Sequence, residues 1–393
     1  MDMQMREYLD TPFDRIGSNC VKWDNLEKAF GRGDLTAMWV ADMDFRTVPE
    51  VRDAMVKRAE HAIYGYTDTK DEDRQAEVDW LKRRHGLDVD PEWILYSPGV
   101  VDSIFFCVRS LTAPEDRIMI QTPVYGPFYR AVETFGRTMV KNRLLRDEEL
   151  GWKMDYEDME RSFREGVKML ILCSPHNPIG RVWKREELEK VVELANRYGV
   201  IILADEIHAE FVFDDNRQTR ILSLPGTEKA IMLTSATKSF NLAGLRSSSM
   251  IIPDPEMRKT LEHEMKLACA DSPNIFGSVA QTAAYRYGDA WMDAVIEYIR
   301  ENRDYAVEYI RENIPEISCR KQDGTYLMWL DFTRLGKPQE ELIDMLVNTA
   351  HVALNDGTFF GEEGRGWFRM NLATPRCNVV KTLDNIRNAI RSK

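Results

Sequence analysis

The sequence predicts an α/β protein in which a mainly parallel sheet, covered by helices, forms a large domain and a smaller α+β unit follows it. Three observations point there. The segments MLILC (169–173), IILAD (201–205) and AIMLT (230–234) are short runs apolar on both faces, as strands lying between two helical layers must be. Between the first two stands KREELEKVVELANRYG (184–199), with Leu188, Val191, Val192, Ala195 and Tyr198 on one helical face and a glycine at its end. After Pro253 the alternation stops. Helical patterns occupy 254–312, and strand patterns then appear at GTYLMWLDF (324–332) and GWFRMNLA (366–373).

Composition narrows the class. Hydrophobic residues make up 44% of the 393 and charged residues 30%, which specifies a packed core under a charged surface. A net charge of −12 disfavours binding to a phosphate backbone, so no nucleic-acid partner is expected. No run approaches the roughly 18 to 20 apolar residues of a membrane span, and MDMQMREYLD has neither a basic nor an apolar leader region; no membrane association and a cytoplasmic location are the expectations. Cys20, Cys107, Cys173, Cys269, Cys319 and Cys377 are scattered without a CxxC pair and read as reduced thiols. The six histidines form no HxxxH or HxH pair, so no metal site is expected.

In chain order, residues 1–47 show little periodicity and read as an irregular arm, with Trp23, Trp39 and Phe45 to anchor it on a larger body. PEVRDAMVKRAEH begins a helix at Pro49, and DEDRQAEVDWLKRRHG reads as an amphipathic helix stopped at Gly86. SPGVVDSIFFCVRSLT (97–112) is a turn whose Gly99 opens a helix; the first amides of that helix, Val100 and Val101, suit an anion. DRIMIQTPVYGPF and RTMVKNRLL supply further strands on either side of a short helix ending at Gly136. PQEELIDMLVNTA and the final 17 or so residues read as helices. In sheets of this kind ligands sit beyond the carboxyl ends of the strands, and Tyr125, Asn177, Asp205, His208 and Lys238 all fall there.

The stretch SATKSFNLAGLRSS (235–248) organises these residues. Lys238 follows a buried strand and is flanked by small hydroxyl residues that let a phosphate approach, which is what an enzyme needs to hold pyridoxal phosphate as a Schiff base. That cofactor works as an electron sink only with its ring nitrogen protonated, and Asp205 is placed to supply the buried carboxylate this requires, unless it merely caps a helix. Asn177, in PHNP, is a donor for the ring's 3-oxygen or an ordinary turn residue. Ser235, Arg246 and the amides of Val100 and Val101 form a donor set for the phosphate. Arg369 interrupts an apolar strand between Phe368 and Met370; its burial calls for an anionic partner, either the α-carboxylate of an amino-acid substrate or a protein carboxylate.

TPVYGPF, SPHNPIGRVW, ADEIH, SATKSFNLAGLR and FRMNLATP, in this order and spacing, resemble the fold-type I pyridoxal-phosphate enzymes of the class I/II aminotransferase superfamily. KWD, MWVADMDF, YGYT and the histidine of ADEIH resemble, more narrowly, the cystathionine β-lyase branch of MalY/PatB-type C–S lyases. The resemblance implies a large pyridoxal-phosphate domain over 48–280 with a mainly parallel seven-stranded sheet, a small domain over 281–393, and an N-terminal arm (1–47) packed with the small domain. It implies that Lys238 bears the cofactor, Asp205 pairs with the pyridinium, Asn177 bonds the 3-oxygen and Tyr125 stacks on the ring. The phosphate would be held by Val100, Val101, Ser235 and Tyr64, the last donated by the second subunit of a homodimer, and Arg369 would grip the substrate carboxylate. His208 would support Asp205 or the ring, or else be a hydrogen-bonded core histidine. The implied activity is β-elimination from a sulfur-containing amino acid. Arg246 departs from the branch, whose members commonly have an uncharged residue there, and matches the wider aminotransferase group, so an L-amino-acid aminotransferase is the alternative.

Overall fold

The structure is a computed structural model that describes residue 1 and residues 3–392. The chain forms two compact units, one made of Thr47–His176 and Val182–Met292, the other of Met1–Arg46, Asn177–Arg181 and Asp293–Lys393.

The larger unit is built on seven strands: β1 (Ile94–Ser97), β2 (Arg117–Thr122), β3 (Thr138–Arg143), β4 (Val167–Cys173), β5 (Ile201–Asp205), β6 (Ile231–Thr234) and β7 (Ser248–Ile251). Their spatial order is β1-β7-β6-β5-β4-β2-β3, and β7 alone runs antiparallel to its neighbours, so the sheet is mainly parallel. The apolar runs that predicted β4, β5 and β6 are buried along nearly their whole length. Their side chains, among them Met169, Leu203 and Leu233, pack with Ile104 and Phe128 from the helices Val100–Leu111 and Gly126–Thr134. Helices end where the glycines predicted: Gly86 (φ 63°) closes Asp71–His85 and Gly199 (φ 69°) closes Arg185–Tyr198, both in the left-handed region that glycine enters without a Cβ penalty.

β1 (ILYS) and β7 (SSMI) mix apolar residues with serines. Ser97, Ser248 and Ser249 are buried in this pair, satisfied by one another and by neighbours: Ser97 Oγ lies 2.7 Å from Ser248 Oγ and 2.6 Å from Ser103 Oγ, and Ser249 donates to Glu77 Oε2 at 2.8 Å. A strand that buries hydroxyls in mutual hydrogen bonds reads as a loop by hydropathy. RTMVKNRLL likewise does not make one strand. β3 stops at Arg143, and Leu145–Asp147 folds into a separate antiparallel ribbon with Gly151–Lys153.

The second unit holds an antiparallel sheet of β8 (Ser318–Cys319), β9 (Leu327–Asp331), β10 (Asn355–Asp356) and β11 (Trp367–Asn371), in the order β8-β9-β11-β10. The helix Gln339–Asp344, prolonged by a π-helical stretch Met345–Thr349, and the terminal helix Arg376–Arg391 belong to the same unit. Residues 1–47 are less irregular than their sequence suggests. They contain the helices Met3–Asp10, Val21–Asp24 and Leu26–Phe30, and Thr36–Ala37 pairs in parallel with Val352–Ala353. Helices of one or two turns are too short to show periodicity and are stable only through tertiary contacts, here the burial of Leu9, Leu26 and Leu35.

Candidate active site

Lys238 sits in the single-turn helix Ala236–Ser239 that leaves β6. Ser235 caps this turn, accepting from the Thr237 amide at 2.9 Å and donating to Ser247 O at 2.7 Å. Phe240 fixes the other end of the turn: its buried ring stacks on Trp291 (centroids 5.7 Å apart) and meets Trp80 edge-on at 5.3 Å. The lysine is thus carried on a short rigid turn between a strand end and an aromatic cluster.

Asp205 ends β5, directly opposite Leu233 of β6. The carboxyl is 5% exposed and accepts from the Ile207 amide at 3.1 Å. Burial pushes it up to about 6, against the Ile207 hydrogen bond and the charge of Lys238, which both favour the anion. The next residue turns the other way. Glu206 forms an ion pair with Arg220 Nε at 2.9 Å, with both side chains at most 1% exposed, and accepts from the Ile221 amide at 2.7 Å. Of the two adjacent acids in ADEIH, Glu206 is thereby neutralised by a protein cation, and Asp205 shares its electrostatic field with Lys238.

The anion-binding elements meet nearby. Gly99 is the N-cap of Val100–Leu111, which leaves the first amides of that helix, Val100 and Val101 included, without intrahelical acceptors. Arg246 reaches the same first turn, donating to Asp102 Oδ1 and Oδ2 at 3.1 and 3.2 Å. Ser235, bonded to Ser247 O, is tied to the residue after Arg246, and its hydroxyl lies 2.6 Å from Thr237 Oγ1. A Cβ at Gly99 would fall 2.6 Å from Asp102 Oδ2, so a side chain there would crowd this cradle. One residue here escapes sequence reasoning: Asp102 looks like any first-turn helix acid.

Tyr125 is half-buried as the N-cap of Gly126–Thr134, its ring edge-on to Phe128 at 6.3 Å. His208 is buried in the turn after β5. His176 is a buried histidine whose Nε2 lies 2.8 Å from Pro123 O. Tyr64 is 56% exposed; within its own chain its hydroxyl donates to Ala59 O at 2.7 Å and its ring lies 5.8 Å from Phe276.

Asn177 and Arg369 belong to the other unit, where they are hydrogen-bonded to each other. Arg369 Nη1 donates to Asn177 Oδ1 at 3.0 Å, and Nη2 donates to Asn355 Oδ1 at 2.7 Å and to Trp39 O at 3.1 Å. The guanidinium also lies 4.8 Å from the Phe360 ring centroid. These three hydrogen bonds go to uncharged oxygens and orient the guanidinium. Asn177 is seated by Gly180, whose carbonyl accepts from the amides of Asp323 and Gly324, both at 3.0 Å. Gly180 has φ +70°, and a Cβ there would stand 2.5 Å from Gln322 Cβ, so only glycine fits this turn. Trp39 and Asn355 are further residues that the sequence does not disclose as arginine partners, since one acts through its backbone and the other lies on a two-residue strand.

The donor set fits pyridoxal phosphate. In the larger unit an amine and a carboxyl raised by desolvation share one field, and a dianion would find helix-start amides, hydroxyls and a guanidinium together. Fold and site together define a fold-type I pyridoxal-phosphate enzyme. The chain belongs to the aminotransferase class I and II family, whose pattern it matches over residues 34–386. It is 37% identical to cystathionine beta-lyase PatB of Bacillus subtilis, with 95% of this chain and 96% of that protein covered. Among solved structures, a PLP-bound protein of Clostridium difficile 630 that bears a provisional aminotransferase name is 39% identical, with a TM-score of 0.94 over 98% of this chain and 99% of the other. Cystalysin from Treponema denticola, which contains a pyridoxal 5'-phosphate cofactor, is 30% identical, with a TM-score of 0.94 over 98% of both chains.

Proposed function

We propose that this protein is a PLP-dependent C–S β-lyase that cleaves cystathionine or a related cysteine S-conjugate to a thiol, pyruvate and ammonia. The observation that most supports this reading is the buried Asp205 carboxyl in the field of Lys238, in a chain similar over nearly its full length to a cystathionine beta-lyase. When bound, the cofactor supplies an electron sink for the pair left at Cα. Asp205 would supply the anion that keeps a ring nitrogen protonated. Lys238 would anchor the cofactor, and its Nζ, when free, would take the Cα proton. Val100, Val101, Ser235 and Arg246 would hold the phosphate, Tyr125 would pack against the ring, and Asn177 would donate to the 3-oxygen. Arg369 takes the substrate carboxylate; because it is already oriented by Asn177, Trp39 and Asn355, little side-chain freedom is lost when the carboxylate arrives. His208 supports the Asp205 turn.

Arg246 favours a second reading, an L-amino-acid aminotransferase, because it gives the phosphate cradle the charge found in that wider group. The two reactions share the removal of the Cα proton and part afterwards. Incubating the holoenzyme with L-cystathionine in the absence of any keto acid separates them: the lyase releases pyruvate over many turnovers, whereas turnover that begins only on addition of a keto acid identifies the aminotransferase.

We further propose a homodimer in which Tyr64 of each chain donates to the phosphate held by its partner, consistent with its exposure in the isolated chain. Light scattering of the active holoenzyme is expected to give twice the chain mass, and an active monomer would rule out this role for Tyr64. The location proposed is the cytoplasm: all six cysteines are free of disulfides, and among the described residues no helix is long and apolar enough to cross a membrane.

A further inference from the structure

The motifs KWD and MWVADMDF, of which only the Trp39 carbonyl enters the chemistry above, converge on one cluster centred on the buried Lys22 and Asp44. Lys22 is fully buried, and its Nζ lies 2.7 Å from Asp44 Oδ2, 3.4 Å from Asp42 O and 3.8 Å from Asp42 Oδ1. Arg15 bridges the same two acids, at 2.7 Å to Asp42 Oδ2 and 2.8 Å to Asp44 Oδ1, and the Trp23 indole donates to Asp44 Oδ1 at 2.9 Å. Burial alone would drive the Asp44 carboxyl up; the charge and hydrogen bond of Lys22, with the donors Trp23 and Arg15, overcome it and hold the group below its ordinary value. A buried ion cluster of this kind adds little net stability over an apolar cluster of the same shape, but it admits few alternative arrangements.

What the cluster fixes is a strap, residues 38–44, laid along β11. Asn371 N donates to Met38 O at 2.8 Å, and Asn371 Nδ2 donates to Val40 O and Asp42 O at 2.7 and 2.6 Å. Tyr326 Oη donates to Ala41 O at 3.0 Å. Within this strap Trp39 is held at both ends. Its indole Nε1 donates to Lys22 O at 2.9 Å, and its own carbonyl accepts from Arg369 Nη2 at 3.1 Å. The backbone of Lys22 is therefore one residue removed from the guanidinium, through the indole and carbonyl of Trp39.

We propose that the clamp formed by Arg15, Lys22, Trp23, Asp42 and Asp44 is a positioning device for substrate recognition: by locking the strap it sets the Trp39 carbonyl that aims Arg369 at the amino-acid carboxylate. The inference rests on the reading of Arg369 as the carboxylate-binding residue. Its residues touch no reacting atom, so the effect falls on recognition of the carboxylate and not on the elimination step.

The test compares two ligands of the holoenzyme that differ only in that group, S-ethyl-L-cysteine and S-ethylcysteamine. Trp39→Phe removes the indole N–H without disturbing a buried charge, and Lys22→Met opens the clamp itself. Both variants are expected to weaken S-ethyl-L-cysteine about tenfold in KM and Kd, with kcat within about twofold of wild type and S-ethylcysteamine binding unchanged. Equal weakening of both ligands, or of neither, in Trp39→Phe overturns the proposal, and this variant decides the matter if Lys22→Met does not fold. Arg369→Ala tells the two readings apart. If it still prefers the amino acid over the amine as wild type does, the assignment of Arg369 fails; if it loses that preference while Trp39→Phe keeps it, only the clamp fails.

Discussion

Lys238→Ala is expected to lower kcat for β-elimination by about a thousandfold or more, because in the proposed mechanism one side chain would both anchor the cofactor and move the Cα proton, and a positioned proton-transfer group alone contributes roughly 10² to 10⁴. The loss should be accompanied by a chemical signature independent of activity. Borohydride reduction of the wild-type holoenzyme, followed by peptide mapping, should place the cofactor's mass on the peptide containing Lys238; in the variant that adduct should vanish. The turn itself should survive, since its cap, Ser235, and its aromatic anchor, Phe240, are untouched. An adduct on any other lysine, or a variant retaining a tenth of wild-type turnover, would refute the assignment.

Asp205→Asn should produce opposite effects on catalysis and on the stability of the cofactor-free protein. In catalysis, removing one charge of a buried pair costs about 2 to 5 kcal/mol, which corresponds to a fall of roughly 30-fold to 5,000-fold in kcat/KM. In the cofactor-free chain the carboxyl is raised to about 6 by burial. In an unfolded chain it ionises near about 3.9. Between these values the native state binds the extra proton, so stability falls as pH rises from about 4 through about 6, and the cost is complete above that, at roughly 3 kcal/mol. Asparagine keeps an acceptor for the Ile207 amide and removes the charge. Urea denaturation of the cofactor-free proteins at pH 8 should therefore show a higher midpoint for the variant, with the advantage gone by pH 4. Identical midpoints at pH 8 would mean that Asp205 is not held in a dry site.

The sheet and the site were legible to different depths. Strands β4, β5 and β6 could be read because a strand covered on both faces must be apolar throughout, and the residues at their ends could be read with them. β7 could not, because Ser248 and Ser249 are buried by pairing hydroxyls, a solution that hydropathy cannot register. Arg369 was visible as a charge within an apolar strand. Its partners were not: the Trp39 carbonyl has no side-chain signature, and Asn355 acquires its role only when β10 pairs with β11. The first 47 residues looked formless because their helices span one or two turns, and what holds them, the clamp of Lys22 and Arg15 on Asp42 and Asp44, joins residues some twenty or more positions apart.

Gly180 has a consequence beyond its turn. Because its carbonyl and missing Cβ seat the five residues Asn177–Arg181 against Gln322, Asp323 and Gly324, the backbone changes unit after residues 176 and 181 in addition to its crossings after residues 46 and 292. Neither unit is a cassette that a single cut could release. A fragment beginning at residue 293 would lack both the arm bearing Trp39 and the loop bearing Asn177, two of the neighbours that orient Arg369, and keep Asn355. Gene fusion or truncation at that point would thus disturb the carboxylate recognition proposed for Arg369 while sparing every residue of the seven-stranded sheet.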